Sequence, residues 1–410
     1  MKAPRIIFFS IISVFMAASG CINEGKMKQE DYLQGTYGYD KYFFKQHNIG
    51  YIELGDSVSG AYVLVVPEYQ GRVMTSTSGG YKGRSFGWIN HDLISSGIRN
   101  NQFNPFGGEE RFWLGPEGGP FSIYFGKGEE QTFENWKVPP ELDTEPFKVI
   151  SKTPSSAAFN QEFRLQNASG TELEVGVERI IRLLDRNTIA VLLDTDISES
   201  LDVVSYETEN TIINKGGNEW NTETGFLSVW LLGMFNPSEN GVVFIPIKPV
   251  NQKVVTDDYF GKVPPDRLFM KDSMLFFKVD GKFRSKIGIS PGGVKNLCGS
   301  YDPDSKTLTV LWFSLPEEEM PYVNSKWGNQ DPLTGDAVNS YNDGPVEDGS
   351  IMGPFFEIES SSPAALLKPG EKISHIQRIC HITGEESELD IITGKLFGVR
   401  LEVIKTSFAE

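Results

Sequence analysis

Apolar and polar residues alternate in short runs from Tyr51 through Ile382. A period of two marks a half-buried strand, and an unbroken apolar run of strand length marks one buried on both faces. Ala61–Val66 reads Ala-Tyr-Val-Leu-Val-Val and is of the second kind, whereas Arg72–Thr77 alternates. The same pattern predicts strands at residues 121–125, 147–151, 158–165, 173–184, 188–194 and 203–213. Further along it predicts them at 226–235, 242–246, 274–279, 307–315, 355–360 and 372–382. Turn chemistry separates many of these runs: Asn167-Ala-Ser-Gly170, Asp280-Gly281, Asp302-Pro-Asp-Ser305 and Lys368-Pro-Gly370. Asp40 reads as the N-cap of a short helical turn carrying Phe43, Phe44 and His47. No long amphipathic helix stands out, and no repeat of fixed period. The expected fold class is therefore all-β, a large antiparallel sandwich.

Residues 103–125 interrupt the alternation: Phe-Asn-Pro-Phe-Gly-Gly-Glu-Glu-Arg-Phe-Trp-Leu-Gly-Pro-Glu-Gly-Gly-Pro-Phe-Ser-Ile-Tyr-Phe. Pro105, Pro116 and Pro120 remove amide donors and rule out a helix interior, and they disfavour a central strand. Gly107 and Gly108 allow a sharp turn and a close approach of backbone to a ligand. A rigid loop is expected, carrying Glu109, Glu110, Arg111 and Glu117 among Phe106, Phe112 and Trp113. Carboxylates, a guanidinium and flat rings suit a polyhydroxylated ligand with apolar C–H faces. The same residues also suit a buried turn held by a pair between Arg111 and a glutamate. The ligand reading predicts that Arg111 hydrogen-bonds a carboxylate and lines the main concave pocket together with Arg72. Trp113 and Trp220 would then stack on an apolar face of such a ligand, while the remaining tryptophans belong to the core. His91, after Gly87-Trp-Ile-Asn90, falls in an early loop, where it either approaches the pocket or serves as a helix-start hydrogen-bonding residue.

Composition narrows the function classes. The chain has 410 residues, 39% of them hydrophobic, with 28 Phe, 14 Tyr and 7 Trp, which is enough for a sizeable core and excludes wholesale disorder. Its formal charge of −17, with no basic stripe to offset it, argues against nucleic acid as a partner. Lys2 and Arg5 precede the apolar run from Ile6 to Ala18, which ends in Ala18-Ser-Gly-Cys21. A charged start, a short apolar stretch and small residues describe a secretory signal too short to span a membrane as a helix. Small residues directly before a cysteine resemble the lipobox of bacterial lipoproteins. Residues 1–20 are thus expected to be a signal peptide and Cys21 the lipidated residue, so that several acyl chains hold the protein to a membrane of the bacterial envelope. The expected location is the outer membrane, facing the periplasm or the exterior. Residues 21–38, rich in Asn, Glu, Lys and Gln, read as a polar tether, and residues 39–410 as a single domain. Cys298 and Cys380 are expected to be free, buried thiols. Gly118-Gly119 and Gly292-Gly293 lack the strand-to-helix setting of a phosphate loop, and Asp302/Asp304 and Asp343/Asp348 lack the ligand order of a calcium loop. No metal and no cofactor is expected.

Three segments carry a family resemblance. Val65-Val-Pro-Glu-Tyr-Gln-Gly-Arg-Val-Met-Thr-Ser76 resembles the early glycine–arginine segment of galactose mutarotase-like proteins. Gly107-Gly-Glu-Glu-Arg-Phe-Trp-Leu-Gly-Pro-Glu117 is similar to a Gly-Gly-(acid)-Arg-Leu-Trp-x-x-Pro-Glu motif of mutarotase-like proteins. Gly353-Pro-Phe-Phe-Glu-Ile-Glu-Ser-Ser-Ser-Pro363, followed by Leu367-Lys-Pro-Gly-Glu371, resembles the segment that closes the fold. The order and spacing fit across roughly residues 40–385. The resemblance implies a large antiparallel β-supersandwich of the galactose mutarotase-like (aldose 1-epimerase-like) superfamily, in a lipoprotein family with this fold, and a carbohydrate as ligand.

What the resemblance implies chemically can be stated as proton traffic. Exchanging anomers requires a base for the anomeric hydroxyl and an acid for the ring oxygen. In aldose 1-epimerases these are a late glutamate and a mid-chain histidine. The glutamate carries over to Glu357 or Glu359, which alternation puts on one face. The histidine does not carry over: residues 210–217 and 225–235 contain none, and His47, His91, His375 and His381 lie elsewhere. Glu207, Glu209, Arg111 and Lys215 are the alternative donors. Arg111 and Glu109 are expected to act beside Glu357, with Arg72, Glu110, Trp113, Glu117, His91 and Glu359 as binding residues. Three classes follow: a sugar-active enzyme, a non-catalytic glycan-binding lipoprotein serving sugar uptake, and a structural envelope component.

Overall fold

The computed structural model describes residues 28–346 and 348–408. The expected signal peptide and Cys21 lie outside the described residues. Two large antiparallel sheets face each other. The ten-stranded sheet runs, edge to edge, Leu268–Lys271, Met274–Lys278, Val242–Pro246, Leu297–Asp302, Thr307–Phe313, Lys372–Thr383, Asp202–Asn214, Glu172–Leu183, Ser156–Gln166 and Lys148–Lys152. The six-stranded sheet runs Val255–Thr256, Ser285–Ile289, Val338–Asn342, Phe356–Ser361, Ser228–Phe235 and Arg111–Gly115. A three-stranded sheet of Ile52–Asp56, Ala61–Val66 and Arg72–Thr77 packs at one side. The all-β class and the large antiparallel sandwich read from alternation are what the structure has.

Period two decides which side chains fill each layer. Along Thr307–Phe313, Leu311 and Phe313 point between the sheets, while Leu308, Val310 and Trp312 point outwards. The outward set is not solvated, because the helices Glu386–Phe397 and Leu401–Lys405 cover it with Leu389, Ile392, Phe397, Leu401 and Ile404. Burial on both faces is why the end of this strand, Val310-Leu-Trp-Phe313, reads as an unbroken apolar run. Cys298 faces inwards opposite Leu311, whereas Cys380 faces outwards opposite Val310. The two thiols therefore lie on opposite faces of the sheet, free and buried, with burial pushing Cys380 up to about 12.

Four local expectations are corrected. Residues 188–194 form the helix Arg186–Leu192, started by the Asp185 carboxylate, which accepts a hydrogen bond from the Thr188 amide at 2.9 Å. Residues 121–125 are irregular, although Tyr124 is anchored through its hydroxyl to the Leu114 carbonyl at 2.9 Å. The first helix begins at Tyr37 with Thr36 as N-cap, so Asp40 lies inside it, buried and bonded to His91 and Ser85. An amphipathic helix does exist at Glu386–Phe397, with acids in its first turn, Lys395 in its last and Gly398 left-handed beyond it.

Candidate functional site

The stretch expected to be a loop contains a strand. Arg111–Gly115 is the edge of the six-stranded sheet and pairs with Ser228–Phe235, Arg111 opposite Leu232 and Trp113 opposite Trp230. Gly107 and Gly108 take φ of 90° and 118°, and a Cβ on Gly107 would meet the Trp88 carbonyl oxygen at 2.2 Å. That turn delivers the chain to the sheet edge. From Arg111 onwards alternation is regular: Phe112 and Leu114 point into the sandwich, and Arg111 and Trp113 point to the other face.

On that other face lies a cleft of about 100 Å³. Its floor comes from three neighbouring strands, through Trp230, Leu232 and Met234, then Glu357, then Arg111 and Trp113. Its walls are loop residues, among them Phe103, Glu117, Phe260 and Trp327. Arg111 Nη2 lies 3.3 Å from Glu357 Oε1, and its guanidinium sits 3.9 Å from the centre of the Trp113 ring. An arginine pressed on a ring and tied to a carboxylate has one orientation. Lys286 enters from the strand Ser285–Ile289, two places along the sheet from that of Glu357, and lies 2.9 Å from Glu359 and 4.9 Å from the centre of the Trp230 ring.

The electrostatics separate the carboxyl groups. Burial raises Glu357 to about 8, against the pull of Arg111, and the charge of Glu359 adds to the rise. Burial also raises Glu117, with Lys286 opposing it. For Lys286 burial alone would lower the value, but Glu359 and Glu117 outweigh it and the ammonium is held. The cleft thus combines a carboxyl group whose burial favours the protonated form with a second carboxyl beside a fixed cation.

Of the residues singled out from sequence, Arg111, Trp113, Glu117 and Glu357 meet in this cleft. Glu359 lies just beneath it, its Oε2 taken by Lys286 and by the Trp230 indole N–H at 2.8 Å. The other four point elsewhere. Arg72 is fully buried and donates to the Gly107 carbonyl at 2.9 Å and to Gln70 at 3.1 Å, so it supports the turn rather than the pocket. Burial lowers it to about 9, with the nearby charge of Arg111 adding to the effect. Glu110 faces the interior, 2.9 Å from Arg179 and 2.8 Å from Gln377. Glu109 is bonded to Ser76 and His381 between the sheets. His91 opens the helix His91–Ser96 and holds Asp40 at 2.7 Å. Of the alternative donors, Glu207 and Glu209 pair with Arg182, and Lys215 pairs with Glu162, all away from the cleft. Trp220 is core. Lys286, Trp230 and Trp327 were missed as site residues. Lys286 and Trp230 could have been found from the alternation of their strands once Glu357 was placed, whereas Trp327 sits on a loop with no such signal. Among the described residues no group of His, Cys, Asp and Glu is placed to hold a metal ion.

A family model described as "Family of unknown function (DUF6786)" matches residues 35–408. The chain belongs to that family. No curated protein sequence matches it. Among solved structures, the Slr1438 protein of Synechocystis sp. PCC 6803 superposes with a TM-score of 0.50 at 13% identity, over 82% of this chain and 96% of that one. A putative aldose 1-epimerase of Escherichia coli K12 does so with a TM-score of 0.50 at 10% identity, over 81% and 99%. A galactose mutarotase-like protein of Lactobacillus casei ATCC 334 gives 0.45 at 11% identity, over 81% and 100%. At these identities the likeness is one of fold. The DUF6786 chain keeps the mutarotase-like sandwich and fills the strand Ser228–Phe235 with Trp230, Leu232 and Met234 on the cleft side.

Proposed function

We propose that this DUF6786 protein binds a carbohydrate in the cleft over Arg111–Gly115 and performs acid–base chemistry on it with Glu357 and Glu117. The observation that carries the reading is one convergence: an Arg111–Glu357 pair, a second carboxyl and a lysine among Trp113, Trp230 and Trp327. Rings offer flat apolar faces to sugar C–H groups, and the charged groups meet the hydroxyls. Glu357, neutral at pH 7, donates a proton to the ring oxygen, while Glu117 accepts the proton of the anomeric hydroxyl. The bond from the anomeric carbon to the ring oxygen breaks, and closure on the other face returns both protons. The fold shared with a putative aldose 1-epimerase supports the substrate class.

A second reading, binding without turnover, is favoured by the apolar side chains on Ser228–Phe235, where no histidine faces the cleft. Trp327 and Phe260 discriminate the sugar readings from a structural role, because both stand at the mouth and neither lies deep in the core. Calorimetry against a panel of mono- and oligosaccharides should find a ligand, and Trp327→Ala with Phe260→Ala should weaken it about tenfold or more, ~1.4 kcal/mol. Binding left untouched by both substitutions would sink the assignment of the cleft.

We also propose that Cys21 carries the lipid that holds the protein to the bacterial envelope, supported by Ala18-Ser-Gly-Cys21 after an apolar run. Fractionation should find the wild type in membranes and the Cys21→Ala protein released from them. Retention of Cys21→Ala in the membrane fraction would refute the anchor.

A further inference from the structure

Resting on the carbohydrate reading of the cleft, we infer that the ligand is an oligosaccharide rather than a single sugar, one residue lying over Glu357 and its neighbours running past Trp136 into an adjoining groove. The inference begins from the wall of the cleft. Trp136 lines the cleft on one side and, on the other, a second and more open depression of about 640 Å³. The chain alternates between the two along the same short segments: Phe103 and Phe133 face the cleft, while Gln102, Glu134 and Asn135 face the groove. The partition is held in place, with Gln102 donating to the Phe133 carbonyl at 2.5 Å and the Val138 amide donating to the Gln102 carbonyl at 2.9 Å. The two depressions are therefore neighbours, with Trp136 between them.

The two parts differ in chemistry as successive sites for one chain would. The cleft near Glu357 is aromatic and charged and partly enclosed. The groove is lined by the side chains of Gln102, Glu134, Asn135, Glu141, Arg164 and Gln166, which together offer donors and acceptors to hydroxyl groups along an open channel. The groove is broadly open to solvent, so it fits a chain laid across it better than a molecule buried in it. Between the two, Phe133 stacks on Trp136 with ring centres 6.1 Å apart and planes 14° from parallel, and Phe133 remains 56% exposed. An exposed ring stacked on a buried one makes a rigid shelf at the point where a glycan would cross from cleft to groove.

The test uses calorimetric titration of the full chain with ladders of malto-, cello-, xylo- and β-galacto-oligosaccharides from one to six units. Arg164 and Gln166 are exposed and outside the cleft, so Arg164→Ala/Gln166→Ala leaves the fold intact. For the ladder that binds, affinity should rise by about tenfold or more between the single sugar and the tetramer. The double variant should lose that rise while holding the single sugar as well as the wild type does. Equal affinity for every length overturns the oligosaccharide inference and leaves the cleft reading standing, provided Trp327→Ala still weakens binding. A length dependence that survives the double variant also overturns it, because the extra units then lie elsewhere. Binding to none of the ladders, single sugars included, overturns the cleft reading and this inference with it.

Discussion

Replacing Arg179 with methionine should destabilise the protein by about 3–5 kcal/mol, the cost of leaving a buried charge without its partner. Arg179 and Glu110 are both fully buried and lie 2.9 Å apart. The guanidinium also donates to the Gly71 carbonyl at 3.1 Å and to Asn210, and the other oxygen of Glu110 accepts from Gln377 at 2.8 Å. The pair ties the turn before the edge strand to two central strands of the large sheet. Without Arg179, Glu110 must either keep an unpaired charge in the interior or take up a proton. Removing both partners, as Arg179→Met/Glu110→Leu, takes away the charge as well as its counter-charge and should recover most of the loss. Denaturant unfolding followed by tryptophan fluorescence measures all three proteins. A single variant within 1 kcal/mol of wild type (about a fivefold change in the unfolding constant) would show that the pair does not hold the turn. The functional consequence follows from neighbouring positions: Glu110 drawn into the sandwich is what leaves Arg111 on the cleft side.

That same pair marks how far the sequence could be read. Where one physical rule decides, the reading holds: Ala61–Val66, Arg72–Thr77 and Lys372–Thr383 follow from alternation and apolar runs, and the class of fold follows from their number. It fails where two rules compete. Residues 188–194 are rich in β-branched side chains, which favour strand, yet the Asp185 cap and tertiary packing make a helix. Prolines and glycines around residues 105–120 argue for a loop, but the five residues between Gly108–Glu110 and Pro116 still pair as an edge strand. The site was legible one residue at a time and not as a constellation. Arg111 and Glu357 could be picked out from motifs, but their 3.3 Å contact joins positions 246 residues apart. Glu109 and Glu110 look equivalent to Arg111 and Glu117 in sequence, and only the point at which regular alternation begins separates interior from cleft. Lys286 and Trp230 carry no motif, and their role exists only because the strand of Trp230 adjoins that of Glu357 and the strand of Lys286 lies one strand beyond it on the other side.

Glu357→Gln should change both stability and chemistry, and the sign of each follows from the burial of one carboxyl. An unfolded glutamate titrates near ~4.3, whereas burial raises Glu357 in the folded protein to about 8. Between those values the folded state holds a proton that the unfolded state has released. Stability contributed by the protonated form is therefore complete below the unfolded value and is lost as pH rises through the window, at up to ~1.4 kcal/mol per pH unit for one proton. Glutamine keeps the shape, cannot titrate and can still accept from Arg111. The variant should be close to wild type in stability at pH 4 and more stable at pH 9, with the difference opening between those limits. Unfolding measured at a series of pH values would reject the raised carboxyl if the two curves ran parallel. For the chemistry, Glu357 as acid predicts wild-type turnover that falls as pH rises through about 8. In the variant, turnover should drop by about 10²-fold or more while sugar binding stays within a few-fold. NMR exchange between anomers of the bound sugar reads both quantities on the same sample. Exchange in the variant as fast as in the wild type would remove Glu357 from the reaction. A wild type that binds the sugar and never speeds exchange would leave the cleft a binding site, with its raised carboxyl serving as a hydrogen-bond donor to the ligand.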